Sequence, residues 1–145
     1  MKKQYDYHSD ELYSMACKLK TLCDKYRIIA FSGPLGSGKT TLIRELLRLY
    51  GVQGVIVSPT FSYVSLYKVS NQLTLYHFDL YRIMSVNAFL EAGFHEYLDD
   101  VCGKVFIEWP EVIASLLIQY QVAHIGLCYK EDALNERRLI STVEL

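Results

Sequence analysis

The sequence predicts an α/β fold: a mixed, mainly parallel sheet with helices packed against it and one antiparallel hairpin inserted. Three observations carry that prediction. The apolar run Ile28-Ile29-Ala30-Phe31 reads as a buried strand, and a glycine-rich octapeptide follows it almost at once: Gly33-Pro34-Leu35-Gly36-Ser37-Gly38-Lys39-Thr40. Behind the octapeptide, residues 41–50 place Leu42, Leu46 and Leu49 on one helical face. Further on, residues 61–69 and 73–81 alternate β-branched and aromatic side chains on either side of Ser70-Asn71-Gln72, which has the chemistry of a hairpin turn.

The octapeptide fits G-x-x-x-x-G-K-[ST], the loop that cradles phosphate. Glycines let the backbone approach an anion without Cβ clashes. The helix behind the loop aims its unpaired N–H groups and positive dipole end at the same point. The expected architecture is therefore a P-loop NTPase-like three-layer sandwich. Lys39 is expected at the β- and γ-phosphates, and the Thr40 hydroxyl on Mg²⁺.

The 145 residues suit one domain, 1–145, with one core. Hydrophobic residues make up 51% and charged residues 21%, the balance of an ordinary globular chain. A formal charge of −1 gives no general attraction to nucleic acid, so direct RNA or DNA binding needs a local basic patch, and none stands out. Cys17, Cys23, Cys102 and Cys128 form no C-x-x-C pair, and are expected as reduced, small apolar fillers. The four histidines are scattered and do not suggest zinc. No apolar stretch approaches the ~20 residues of a membrane span, and no signal-peptide core is seen, so a cytoplasmic location is expected.

Element by element, residues 9–24 read as a helix capped by Ser9, with Leu12, Met15, Ala16 and Leu19 inward. The strand at 27–32, the loop and its helix follow, and Gly51 stands where a helix-terminating glycine is expected. Val55-Ile56-Val57 reads as a short strand running into Ser58-Pro59-Thr60. Pro59 holds Ser58 extended. Thr60 then either senses a γ-phosphate, as switch segments do, or caps a turn. The aromatics of the hairpin (Phe61, Tyr63, Tyr67, Tyr76, Phe78, Tyr81) fit core packing better than base stacking, because no Lys or Arg interleaves them. Residues 85–91 read as a short helix capped by Ser85 and ending near Gly93. Lys104 to Trp109 reads as a buried strand, Pro110 opens a helix through Gln119, and strands at 123–129 and 138–144 close the chain.

Magnesium held with a nucleotide usually takes one or two protein carboxylates. Asp79 and Glu108 each end an apolar strand, and Glu108 has the more continuously apolar one. One acid is expected on Mg²⁺ and the other on the attacking water. Residue pattern alone leaves the two roles open between them. Trp109 either stacks near the nucleotide or packs in the core, and Arg82 either approaches phosphate or pairs with Asp79.

Four motifs in one order, the loop from Gly33 to Thr41, Ser58-Pro59-Thr60-Phe61, His77-Phe78-Asp79-Leu80-Tyr81-Arg82 and Ile107-Glu108-Trp109-Pro110-Glu111, closely resemble the TsaE (YjeE-like) family. That family comprises small P-loop ATPases of bacterial tRNA threonylcarbamoyladenosine biosynthesis. The resemblance implies an ATPase, weak alone, that works with TsaB and the transferase TsaD to modify the adenosine beside the anticodon. It implies ATP and Mg²⁺ as ligands, with the nucleotide held by Gly33, Leu35, Gly36, Ser37, Gly38, Lys39, Thr40 and Thr41. It further places Thr40 and Glu108 on the metal, Thr60, Asp79 and Trp109 around the nucleotide, and Glu11 and Arg138 in contact with it. Where the family usually has Asp, this chain has Pro34, which removes one loop N–H. On this reading Lys39, Asp79, Glu108 and Thr60 form the catalytic set. A small-molecule kinase is the rival. It needs an acceptor pocket and an arginine-bearing lid, for which there is little room. A Ras-like GTPase needs Asn-Lys-x-Asp, which does not occur. A binding module without turnover has no need of Asp79 and Glu108.

Overall fold

The computed structural model describes residues 2–129 and, for residues 136–143, the backbone. Seven strands form one sheet: β1 (Lys2–His8), β2 (Ile28–Ser32), β3 (Val64–Ser70), β4 (Leu73–Asp79), β5 (Gly103–Glu108), β6 (Val122–Tyr129) and β7 (Glu136–Val143). Their order is β1-β7-β6-β2-β5-β4-β3. The four central strands, β6, β2, β5 and β4, run parallel, and antiparallel pairings complete both edges. The predicted hairpin is the β3–β4 edge, and its turn is closed by the Gln72 N–H donating to Ser70 Oγ.

The strands are apolar on both faces because helices cover both. Ile29, Phe31, Phe106, Ala123 and Ile125 pack against α1 (Leu12–Cys23) and α2 (Lys39–Leu49). Their sequence neighbours Ile28, Ala30, Val105, Ile107 and Val122 face the opposite layer. That layer comprises α3 (Val86–Glu91), α4 (His95–Asp99), α5 (Ala114–Leu117) and a 3₁₀ turn over Pro110–Ile113. Period-two alternation thus builds two cores and three layers. Phe78 anchors the second core against Phe89, Phe94 and Tyr97, with Tyr76 buried beside it and Tyr67 packed on the first core. Phe61 and Tyr81, however, are exposed and do not take the core packing expected of them. Helix α2 ends with Gly51 at φ 103°, the Gly51 N–H bonded to Arg48 O and the Val52 N–H to Leu47 O. This is the glycine-terminated end expected there.

Several expectations are corrected. Val55-Ile56-Val57 is not a strand. No strand among the described residues pairs with it, and while Ile56 is tucked under the core, Val55 and Val57 are 85% and 60% exposed. The first helical residues are a 3₁₀ turn, Ser9–Glu11, preceded by His8 rather than capped by Ser9, and the Glu11 carboxylate accepts the His8 N–H. The helix expected through Gln119 is a 3₁₀ turn and one short helix ending at Leu117. None of the four cysteines forms a disulfide, but Cys102 is exposed rather than a buried filler. Strand β1 was not foreseen, and neither was α4. Only Tyr5 and Tyr7 of β1 face the core, and its partner β7 lies at the other end of the chain.

Candidate nucleotide-binding site

The C-terminal ends of the parallel strands bring the site together. Phe31 of β2 pairs with Glu108 of β5, and Asp79 of β4 pairs with Glu108 on the other side. Three successive strands therefore deliver the loop, one carboxylate and a second carboxylate to one edge. A cleft of about 400 Å³ opens there, lined by Leu35, Gly36, Gly38, Lys39, Thr40 and Thr41 of the loop side. Ser58, Thr60, Asp79, Tyr81, Arg82, Glu108 and Trp109 form its other wall.

The loop needs its glycines at two places for different reasons. Gly38 sits at φ 97° as the residue before α2, which turns the chain sharply into the helix. Gly33, at φ 146°, passes so close to β6 that a Cβ would lie 2.2 Å from the Leu127 carbonyl oxygen. Gly33→Ala is therefore expected to cost at least about 2 kcal/mol through forced backbone displacement. The measurement is thermal unfolding, with a midpoint lowered by at least about 5 °C. Pro34 does not disrupt the loop, since its carbonyl accepts from the Ser37 N–H at 3.1 Å and from Lys39 Nζ at 3.1 Å. The Tyr129 hydroxyl donates to the Gly36 carbonyl and braces the tip.

Lys39 opens α2 and is only 4% exposed. Its ammonium donates to Gly33 O at 2.7 Å as well as to Pro34 O, and lies 3.9 Å from the centre of the Trp109 ring. Burial pushes its pKa below the usual lysine value, while Glu108, Glu111 and Asp79 pull it back up. Trp109 takes a left-handed backbone, φ 59° and ψ 55°, an uncommon choice for a bulky residue. Its indole packs against Tyr81, ring centres 4.9 Å apart, so it lies over the lysine and not deep in the core.

One residue along, the Thr40 hydroxyl reaches both Glu108 carboxylate oxygens at 2.8 Å. His77 of β4 approaches Glu108 Oε1 with Nε2 at 2.7 Å. Asp79 accepts the Tyr81 N–H at 3.1 Å and the Thr60 hydroxyl at 3.3 Å, and Thr60 in turn lies 2.9 Å from Ser58 Oγ. The hydroxyl-rich turn thus sits on the second carboxylate. Arg82 does not pair with Asp79; its guanidinium stacks 4.6 Å above the ring of Phe61, which is 82% exposed.

Gly33 and Ser37 belong to the loop but lie behind the cleft surface, and the fully buried Ser37 hydroxyl has no partner among the described residues. Glu11 does not line the cleft, its carboxylate being engaged by the His8 N–H. Arg138 lies in β7, paired with Asp6 and Cys128, and its side chain is outside the described residues. His77 carried no assigned role in the sequence reading. The signal was there, because it stands two residues from Asp79 in a strand and so shares its face.

The cleft offers hydroxyl and carboxylate oxygens, the donor set of a hard cation such as Mg²⁺. Among the described residues, no three His, Cys, Asp or Glu side chains form a metal cage by themselves. A cation here would draw further oxygens from phosphate and water, in the manner usual for Mg²⁺.

Comparison with known proteins agrees with this geometry. The structure resembles the crystal structure of Bacillus subtilis YdiB with a TM-score of 0.71, over 99% of this chain and 87% of that one, at 24% identity. The tRNA threonylcarbamoyladenosine biosynthesis protein TsaE of Haemophilus influenzae is 33% identical over 126 residues, 86% of this chain and 77% of the relative. The same-named protein of Treponema pallidum is 38% identical over 101 residues, 70% of this chain and 73% of the relative. That of Rickettsia conorii is 43% identical over 91 residues, 62% of this chain, and the match spans 50% of the relative's length. No helix among the described residues is long and apolar enough to cross a membrane. The sequence model for threonylcarbamoyl adenosine biosynthesis protein TsaE matches residues 7–139, and the chain belongs to the TsaE family.

Proposed function

We propose that this chain is a Mg²⁺-dependent ATPase, built on one domain over residues 1–145. It supports threonylcarbamoyl transfer to the adenosine beside the anticodon of tRNA, in the cytoplasm, together with TsaB and TsaD. The observation that carries the reading is the 2.8 Å link between Thr40 of the phosphate loop and Glu108 at the end of β5. It joins the residue type that meets Mg²⁺ in phosphate loops to a strand-end carboxylate in one contact.

Phosphoryl transfer asks mainly for positioning and charge compensation. Lys39 and the loop N–H groups bind the triphosphate and stabilise charge building on the β,γ-bridge. Mg²⁺, when bound by Thr40 and Glu108, supplies charge neutralisation at the phosphate oxygens. Thr60 registers the γ-phosphate, and Asp79 orients the attacking water. Trp109 covers the lysine and limits solvent around the phosphates. Contacts of Glu11 and Arg138 with the nucleotide complete the reading, on the family resemblance alone.

Asp79→Asn is expected to retain ATP affinity and lower hydrolysis at least about 100-fold, the low end for loss of a positioned proton acceptor. Parallel loss of affinity would remove Asp79 from the water-orienting role. The reading as a whole is tested by phosphate release from ATP, with the protein alone and with TsaB and TsaD. A slow basal rate raised by the partners is expected. Transfer of phosphate to a small-molecule acceptor would instead establish a kinase.

A further inference from the structure

Glu108 is held from two sides, and only one of them is the phosphate loop. His77, on the neighbouring strand, is wholly buried and places Nε2 2.7 Å from Glu108 Oε1. A carboxylate only accepts hydrogen bonds, so the proton in this contact rides on Nε2. The other ring nitrogen, Nδ1, is buried and has no hydrogen-bond partner among the described residues.

An orphaned polar atom in a core is unfavourable, and an apolar ring at this position would avoid it. The histidine therefore serves the one side-chain hydrogen bond it makes among the described residues. That contact also divides the work of the carboxylate. Among the described residues, Oε1 accepts from both His77 and Thr40, whereas Oε2 accepts from Thr40 alone. Once the Thr40 hydroxyl turns its oxygen towards a cation, Oε1 is still restrained by the imidazole and Oε2 is left to face the metal.

We propose that His77 is a positioning residue that fixes the Glu108 carboxylate through Oε1, so that Oε2 is presented to the cation of the bound nucleotide. The proposal rests on the reading of Glu108 and Thr40 as the metal-facing pair. It depends on strand geometry. His77 and Asp79 share one face of β4, and Asp79 is in register with Glu108, so the imidazole approaches the carboxylate from the side away from the cleft mouth.

The test titrates Mn²⁺, as a paramagnetic stand-in for Mg²⁺, into protein saturated with ADP, and follows free Mn²⁺ by electron paramagnetic resonance. His77→Leu fills the space without a donor and is expected to weaken Mn²⁺ binding about 10–100-fold, the usual effect of removing a group that orients a metal ligand. ADP affinity in the presence of a chelator is expected to stay unchanged. His77→Gln, whose amide reaches a similar point, is expected to recover most of the loss. Wild-type Mn²⁺ affinity in His77→Leu, alongside weakened binding in Glu108→Ala, overturns the role of His77 while leaving that of Glu108 intact. If wild-type protein itself takes up no Mn²⁺ with ADP, the metal-facing reading fails and the proposal falls with it. If the leucine variant does not fold, His77→Gln against His77→Asn, whose amide is too short to reach Oε1, makes the same comparison, and equal affinities there overturn it.

Discussion

Lys39→Ala is expected to lower ATP affinity at least about 100-fold while leaving the protein folded. A hydrogen bond to a charged group is worth about 1.5–3 kcal/mol, and about 2.8 kcal/mol is a hundredfold in binding. Lys39 brings a full positive charge to the triphosphate from the first turn of α2, where the backbone contributes only partial charges. Its loss should cost the fold little, because burial already disfavours the charged lysine. The groups left behind are the Gly33 and Pro34 carbonyls at the loop. Lys39→Arg is not expected to rescue binding, since a planar fork does not match a point charge seated between two carbonyls and an indole. The chain has a single tryptophan, Trp109, directly over this ammonium. Its emission therefore offers a binding readout independent of heat, and the two should agree in every variant.

Glu108→Ala is expected to give the second-largest effect, on turnover rather than on nucleotide binding. Hydrolysis should fall at least about 100-fold, comparable to losing a charged group that acts in the transition state. Affinity for ATP measured with a chelator present should stay within a few-fold of wild type, because the phosphate loop holds the nucleotide through Lys39 and main-chain amides. Removing this carboxylate also deprives Thr40 and His77 of their acceptor, so a stability loss of about 1–3 kcal/mol is expected from the buried donors alone. Glu108→Gln separates the two effects, since it keeps an acceptor for both partners and loses the charge. Equal losses in binding and turnover would contradict the assignment of Glu108 to the metal.

Much of this site was legible in the sequence because its parts are local. Residues 33–40 carry the loop's chemistry within one turn of chain, and Ile28 to Phe31 before it could only be a buried strand. The positions of Asp79 and Glu108 followed from a simple rule, that an acid ending an apolar strand near such a loop faces the ligand. What the sequence withheld depends on pairing across the chain. Strand β1 shows only Tyr5 and Tyr7 as apolar residues, and its place in the sheet is decided by β7, at the far end of the sequence. Val55-Ile56-Val57 has strand-like composition, but every interior strand of the sheet is already paired on both sides, and the segment joins neither edge, β1 nor β3. The contact of His77 with Glu108 and the near collision of Gly33 with Leu127 are likewise interstrand facts. Periodicity could have put His77 on the face of Asp79, but only the order of strands says which carboxylate it meets.

The central claim is that a nucleoside triphosphate binds at Lys39 and Thr40 with the help of a divalent cation. The most direct measurement is calorimetric titration of ATP into the folded protein, with Mg²⁺ and with chelator, in wild type and Lys39→Ala. Saturable uptake of one ATP per chain, tighter with Mg²⁺ and lost in the variant, is the expected result. No uptake by well-folded wild-type protein at millimolar ATP and Mg²⁺, even with TsaB and TsaD added, would contradict it.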